Sequence, residues 1–279
     1  MNREEYISFK EPIKEYIDIR KATIIDAVAH YGRAPKLAIV QVGDNYASNK
    51  YVGGKMRDCE EVGIECELCK FDESITEEEL ANRVAMLGSN HDYDGIIVQL
   101  PLPDHIRPDV VTEGIPPYKD VDGFKADTPF VPCTPLGIYN LLTDVVCCDD
   151  CRLDGKHVVI LGRSDIVGKP MAKLLIEETD ATVTVCNSHT QNLADITRTA
   201  DILISAIGKP RFVTGDMVKP DAVIIDVGIN RSEDNKLCGD VDAESFDMTP
   251  KFITPVPGGV GLLTRLSLLE NVCDAYMLS

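Results

Sequence analysis

Apolar positions along the chain change period repeatedly, and the changes divide it into alternating strands and helices. Residues 158–161 form a short run of β-branched and other apolar side chains, which suits a buried parallel strand. Gly162, Gly168 and Pro170 follow. Met171, Leu174 and Leu175 then fall at three- and four-residue spacing, predicting a helix over 169–178. A strand, a glycine turn and a helix N-terminus together offer backbone N–H groups and a positive dipole end to an anion. The turn reads Gly-Arg-Ser-x-x-x-Gly rather than Gly-x-Gly-x-x-Gly, so by itself it fits an anion site and an ordinary βα loop equally.

The first half repeats the alternation. A helical region over 4–31 has Ile17, Ile24, Ile25 and Val28 as its apolar stripe, and Lys36–Val42 reads as a strand ending at Gly43, Asp44 and Asn45. A helix over 48–62 is closed by Gly63, and 64–71 alternates as a strand. Thr76 and Glu79 form a capping box for a helix over 76–87, and the strand 95–100 stops at Pro101 and Pro103. A Pro- and Asp-rich connection over 115–135 is longer than structureless loops usually are unless they carry function. A helix over 136–146 bridges to the second half. There the pattern predicts strands at 157–161, 182–186, 201–206, 222–227 and 252–254, helices at 169–178 and 191–199, and a terminal amphipathic helix over 262–277. The expected class is α/β, with two α/β domains, the second a Rossmann-like dinucleotide-binding domain.

Composition narrows the picture. The 279 residues suffice for two domains, and 44% hydrophobic with 27% charged residues marks a soluble globular chain without a membrane-spanning run or an apolar leader. A net charge of −18 argues against nucleic acid as a partner, because a duplex would repel such a surface. Ten cysteines include Cys66 and Cys69 in one CxxC and Cys147, Cys148 and Cys151 in a second cluster. Neither cluster has the paired spacing or histidines of a zinc site, so no metal is expected. Reduced cysteines in a cytoplasmic setting are expected instead.

Candidate chemistry gathers at strand ends. In NAD-preferring sites a carboxylate near the end of the second strand binds the ribose 2′-hydroxyl. Here the corresponding places hold Arg163 and Ser188, which would bind a 2′-phosphate and favour NADP over NAD. Ile207 to Pro210, Gly228-Ile229-Asn230 and Pro255 to Gly261 are further glycine or proline loops after apolar strands. In the first half Ser48, Tyr51 and Lys55 share a helix face, Gln99 ends a strand and Asp122 lies in the long loop. A lysine against an aromatic ring in a cleft can have its ammonium form disfavoured and become a proton donor or acceptor near neutral pH. By spacing alone, a solvated helix lysine beside a core tyrosine is clearly the better explanation, since such pairs are common on helices.

Taken in order, Ala47-Ser48 with Tyr51-Val52 and Lys55, the run from Gly95 through Gln99 to Pro103, Lys119 to Phe124, Pro132-Cys133-Thr134-Pro135, Gly162-Arg163-Ser164 with Val167-Gly168 and Pro170, and Thr254 to Gly261 resemble the bifunctional methylenetetrahydrofolate dehydrogenase/methenyltetrahydrofolate cyclohydrolase family. The resemblance implies a folate-binding catalytic domain over 1–135 plus 262–279 and an NAD(P)-binding domain over 136–261, flanking a cleft. It implies hydride transfer from 5,10-methylenetetrahydrofolate to the nicotinamide, then hydrolysis of the methenyl product to 10-formyltetrahydrofolate, in one-carbon metabolism and purine biosynthesis. Lys55, Tyr51, Gln99 and Asp122 would be catalytic. Tyr51, Ser48, Gln99, Asp122, Pro257, Gly258 and Gly259 would bind the tetrahydrofolate substrate, and Gly162, Arg163, Ser164, Ser188 and Ile229 the NADP. A homodimer is expected on the same ground.

The chain departs from the family pattern at Tyr46, where a proline usually precedes the Ala-Ser pair, and at Leu262-Leu263, where Pro-Met is usual. Loss of that second proline would loosen the loop before the terminal helix. Gly53 and Gly54 inside the helix of Lys55 cost about 1 kcal/mol each relative to alanine. A dehydrogenase alone, using NAD, and a non-catalytic folate- or nucleotide-binding scaffold are the alternatives.

Overall fold

The computed structural model describes residues 1–146, 153–232 and 235–279, so the cluster Cys147, Cys148 and Cys151 lies outside the described residues. In chain order the elements are α1 (Arg3–Ser8), α2 (Lys10–Ala29), β1 (Lys36–Val42), α3 (Tyr46–Val62), β2 (Glu65–Phe71), α4 (Glu77–Ser89), β3 (Gly95–Val98), α5 (Pro108–Thr112), α6 (Cys133–Leu141), β4 (His157–Leu161), α7 (Gly168–Glu178), β5 (Thr182–Cys186), α8 (Leu193–Thr197), β6 (Ile202–Ser205), β7 (Val223–Asp226), β8 (Asn230–Arg231), β9 (Leu237–Cys238), β10 (Phe252–Ile253) and α9 (Val260–Leu278). A π-type turn over Leu142–Val146 continues α6, where a single helix over 136–146 is expected. The two-residue hairpin of β8 and β9 is too short to leave an alternating pattern, and the sequence does not announce it.

The chain divides into two compact units, Ile19–Cys133 with Arg265–Ser279, and Met1–Asp18 with Thr134–Thr264. The first 18 residues thus differ from the expected division, which put them with the first half. The reason is local packing. Asn2 caps α1, the helix breaks at Phe9, and Met1, Tyr6 and Phe9 pack on the core of the later unit, with Phe9 edge-on to Phe252 at 5.5 Å. The amphipathic pattern of this segment specifies a buried face, but not which core buries it. Of the expected stripe, Ile17 and Ile24 are buried, whereas Ile25 is 45% exposed and Ile13 takes the inward place.

In the unit of Ile19–Cys133 three parallel strands run in the order β2-β1-β3. The central β1 is buried from Leu37 onward and aligns Leu37 with Cys66 on one side and Gly95 on the other. Leu80 and Val84 of α4 close one face over Val40 and Ile96, and the Thr76–Glu79 capping box starts that helix as the sequence predicts. In the other unit the order β10-β7-β6-β4-β5 is all parallel, and the chain reverses direction across the sheet between β4 and β6. Ligands of open α/β sheets sit at such a switch point, beyond the carboxyl ends of the strands.

Glycines let the backbone close in there. Gly162 has φ +109°, and a Cβ on it would collide with the carbonyl oxygen of Ala206. Replacing Gly162 with alanine is expected to cost about 3 kcal/mol. Urea denaturation measures this, and an unchanged midpoint would contradict the crowding seen at this turn.

Candidate active site

Helix α3 aims the first set of candidate residues. Asn45 caps it, its side chain accepting from Ala47 N and Ser48 N at 2.9 and 3.1 Å, so the helix starts without a proline and Tyr46 stands 71% exposed at its first position. The glycine pair does not break it. Gly54 makes room for the guanidinium of Arg265, whose Nε lies 2.9 Å from Asp58 Oδ2, while Lys21 Nζ reaches the other oxygen of Asp58 at 2.8 Å. The turns that carry Ser48, Tyr51 and Lys55 are thereby fixed.

Lys55 is only 5% exposed, with Nζ 5.2 Å from the ring centroid of Tyr51. Among the described residues this amine has no hydrogen-bond or ion-pair partner. Its charge acts on the carboxyl of Asp122, half-buried in the long loop. Desolvation pushes its carboxyl above the usual carboxylate range, and the charge of Lys55 pulls in the opposite direction. Cys133 lies beneath, its thiol raised well above the ordinary value by burial and donating to Val121 O at 3.2 Å. Asn271 of α9 donates to Val121 O and Val131 O at 2.9 and 3.2 Å, pinning both sides of the Asp122 turn. Cys133 and Asn271 were not singled out from sequence as supports, since only their place under the loop reveals it.

Gln99 extends the ladder beyond β3, its N donating to Val40 O at 2.8 Å. Its Nε2 donates to Leu100 O at 2.8 Å, which leaves Oε1 buried without a partner. An unsatisfied buried acceptor costs about 1–3 kcal/mol, a cost that an incoming donor removes. The loop that carries Asp122 is ordered by its own buried ions. Lys119 Nζ donates to Gly88 O and Asn90 O at 3.1 and 2.7 Å at the end of α4, and Asp120 accepts from Lys125 N at 2.8 Å.

In the Thr134–Thr264 unit, the loops after β4, β5 and β6 enclose a cavity of about 300 Å³. Gly162, Arg163, Asn187, Ser188, Lys209 and Phe212 are among its lining residues, and no carboxylate is. Ser164 is turned to the start of α7, where its Oγ accepts from Val167 N and Gly168 N at 3.3 and 3.4 Å. Ile229 is 62% exposed and does not line this cavity. The Pro257-Gly258-Gly259 turn belongs to the same unit and is held from below, Val256 N donating to Tyr6 Oη at 2.8 Å. The absent Pro-Met does not loosen it. Leu262 N donates to Gly259 O at 2.9 Å, α9 already begins at Val260, and Leu263 is fully buried where Gly137 has no side chain.

Two buried carboxylates behind this cavity escaped the sequence reading. Asp240 Oδ2 accepts from Ile207 N, Gly208 N and Ser205 Oγ at 2.8, 3.2 and 3.2 Å, and Oδ1 from Lys209 N and Asn230 Nδ2, both at 2.9 Å. Asp226 accepts from Gly228 N, Asp240 N and Val241 N at 2.9–3.0 Å. Burial, more than the nearby Asp240 charge, pushes Asp226 up to about 7 despite these donors.

Comparison with known proteins gives a consistent result. Residues 8–122 match the tetrahydrofolate dehydrogenase/cyclohydrolase catalytic domain, and residues 132–279 the NAD(P)-binding domain of the same family. A bifunctional protein FolD of Acidovorax sp. is 49% identical over 258 residues, covering 89% of this chain and 90% of that protein. The crystal structure of a bifunctional FolD dehydrogenase/cyclohydrolase from Campylobacter jejuni superposes with a TM-score of 0.88 at 41% identity, covering 95% and 97% of the two chains. A Trypanosoma brucei dehydrogenase-cyclohydrolase, solved with NADP and an inhibitor, gives 0.86 at 33% identity over 95% of each chain.

The raised Asp226 predicts a pH trend. The folded state keeps that proton to about pH 7 and the unfolded state loses it near 3.8, so folding binds a proton in between and stability falls as pH rises across that window. Urea midpoints measured against pH should show this slope in the parent and a flatter one in Asp226→Asn. Equal slopes would contradict the assignment.

Proposed function

The chain belongs to the tetrahydrofolate dehydrogenase/cyclohydrolase family, and on that premise we propose that it oxidises 5,10-methylenetetrahydrofolate with NADP and hydrolyses the methenyl product to 10-formyltetrahydrofolate. The observation that carries this reading is the buried, unpartnered amine of Lys55 beside the Tyr51 ring and the Asp122 carboxylate. Tyr51 offers a ring face to a planar reduced pterin. Asp122 accepts from the amino and ring N–H groups of that heterocycle, contacts that offset the desolvation of its carboxylate. Gln99 has an acceptor to spare and orients the Lys55 amine or the substrate through it. Lys55 moves a proton at the water that adds to the methenyl carbon and at the ring nitrogen released on opening.

The oxidation needs no strong base, because hydride loss leaves a resonance-stabilised cation, and positioning carries that step. The cavity after β4, β5 and β6 suits the adenosine end of NADP in charge, with the glycine turn at Gly162 suited to the diphosphate and Arg163 and Ser188 to the 2′-phosphate. When bound, NADP supplies the hydride acceptor. Pro257, Gly258 and Gly259 complete the folate contacts in this reading, and Ile229 packs on the cofactor. The reading includes a homodimer in the cytoplasm, supplying one-carbon units for purine synthesis. No helix among the described residues is long and apolar enough to cross a membrane.

An absorbance assay with 5,10-methylenetetrahydrofolate and each nucleotide tests the reading. Reduction of NADP is expected, with the methenyl product rising and then decaying, and a specificity constant for NADP about tenfold or more above that for NAD. Arg163→Ala should erase most of that preference. No reduction of either nucleotide would overturn the proposal.

A further inference from the structure

We propose that Lys209 is a specificity-determining residue for the phosphorylated ribose of the nucleotide, and that Asp240 is the positioning residue that sets it there. The inference rests on the NADP reading and adds two residues to it. The lining of the cavity after β4, β5 and β6 contrasts with the rest of the chain. In a protein with 46 acidic and 28 basic side chains, Lys209 joins Arg163 and Ser188 around one cavity whose lining includes no carboxylate. None of the three side chains has an ion-pair or hydrogen-bond partner among the described residues. Two exposed cations and a hydroxyl without protein acceptors, lining one cavity, form a site for a dianion.

Lys209 does not reach that place by chance of rotamer. Its stem runs past Phe212, with Nζ 5.3 Å from the ring centroid, so the aromatic face guides the chain without neutralising the charge. Its backbone is held more firmly. Asp240 gathers Ile207 N, Gly208 N and Lys209 N onto one buried carboxylate at 2.8, 3.2 and 2.9 Å, and the same carboxylate accepts from Asn230 Nδ2 at 2.9 Å. Asp240 is fully buried, and Gly228 packs so closely against it that a Cβ there would collide with Oδ1. These bonds hold the loop after β6 in the conformation that brings its lysine to the cavity. Asp240 is not among the residues that line the cavity. It acts through the loop.

Calorimetric titration with 2′,5′-ADP and with 5′-AMP isolates the phosphate contribution without catalysis. The parent protein is expected to bind 2′,5′-ADP more tightly. Lys209→Gln should reduce the ratio of the two affinities about tenfold, and Lys209→Arg should restore most of it. Asp240→Asn should reduce the ratio similarly, and adding Lys209→Gln to it should change the ratio little further, because both act through one contact. If the parent binds both ligands alike, the NADP reading fails, and this proposal with it. If the parent discriminates and Lys209→Gln discriminates equally well, the reading stands and Lys209 has no part in it. If the effects of Asp240→Asn and Lys209→Gln on the ratio multiply fully, Asp240 does not act through Lys209. Should Asp240→Asn fail to fold, the Lys209 pair alone still decides the first claim.

Discussion

A lysine amine buried without an anion is the constraint around which the folate-side unit is built. Other buried charges in that unit are answered. Asp58 has Lys21 and Arg265, Asp94 has Arg33, and Lys119 has two carbonyls at the end of α4. Lys55 has only the face of Tyr51, and Asp122 and the free Oε1 of Gln99 sit in the same unit with unmet demands of their own. Proteins pair or hydrogen-bond buried polar groups wherever they can, so a set left unsatisfied marks a place where a ligand completes the pairing. The supports are costly by comparison. A capped helix, a glycine cut away for Arg265, and Asn271 reaching two carbonyls all hold these side chains still.

The nucleotide-side unit solves a different problem with the same economy. Its loops lie beyond strand ends and have no ladder to order them, so their N–H groups converge on Asp226 and Asp240. Carboxylates used inward in this way leave the outward side of the loops positive in an otherwise acidic chain. Gly162 is crowded by the backbone of Ala206, and Gly228 and Gly239 by the carboxylates of Asp240 and Asp226, so none of the three places has space for a side chain.

Much of this was legible in the sequence, and for definite reasons. The alternation of β-branched runs with three- and four-residue apolar spacing specified nearly every strand and helix of the two sheets, because buried parallel strands and amphipathic helices leave strong patterns. Lys55, Tyr51, Gln99, Asp122, Arg163 and Ser188 came from motif order, and all but Asp122, which lies in the long loop, sit at a strand end or on the helix after one. What stayed hidden has no local signal. Met1 to Asp18 carries an apolar face, but only tertiary packing says which core receives it. Asp240 lies 35 residues from the hydroxyl of Ser205 that it binds, and nothing near it in sequence betrays that. Lys209 stood inside a loop already noticed for its glycine, and its place beside Arg163 depends on a crossing of strands that periodicity does not reveal. Ile25 is apolar and in period, yet it falls at the exposed edge of the helix, where packing and not periodicity decides burial.

The role of the buried amine is tested most directly by single-turnover hydrolysis of 5,10-methenyltetrahydrofolate by Lys55→Met, measured together with the dissociation constant for a non-hydrolysable folate analogue. Methionine keeps the buried stem and removes the amine. The account predicts that hydrolysis falls by about 100-fold or more while analogue binding changes by less than about threefold. Hydrolysis at the parental rate with binding intact would contradict it.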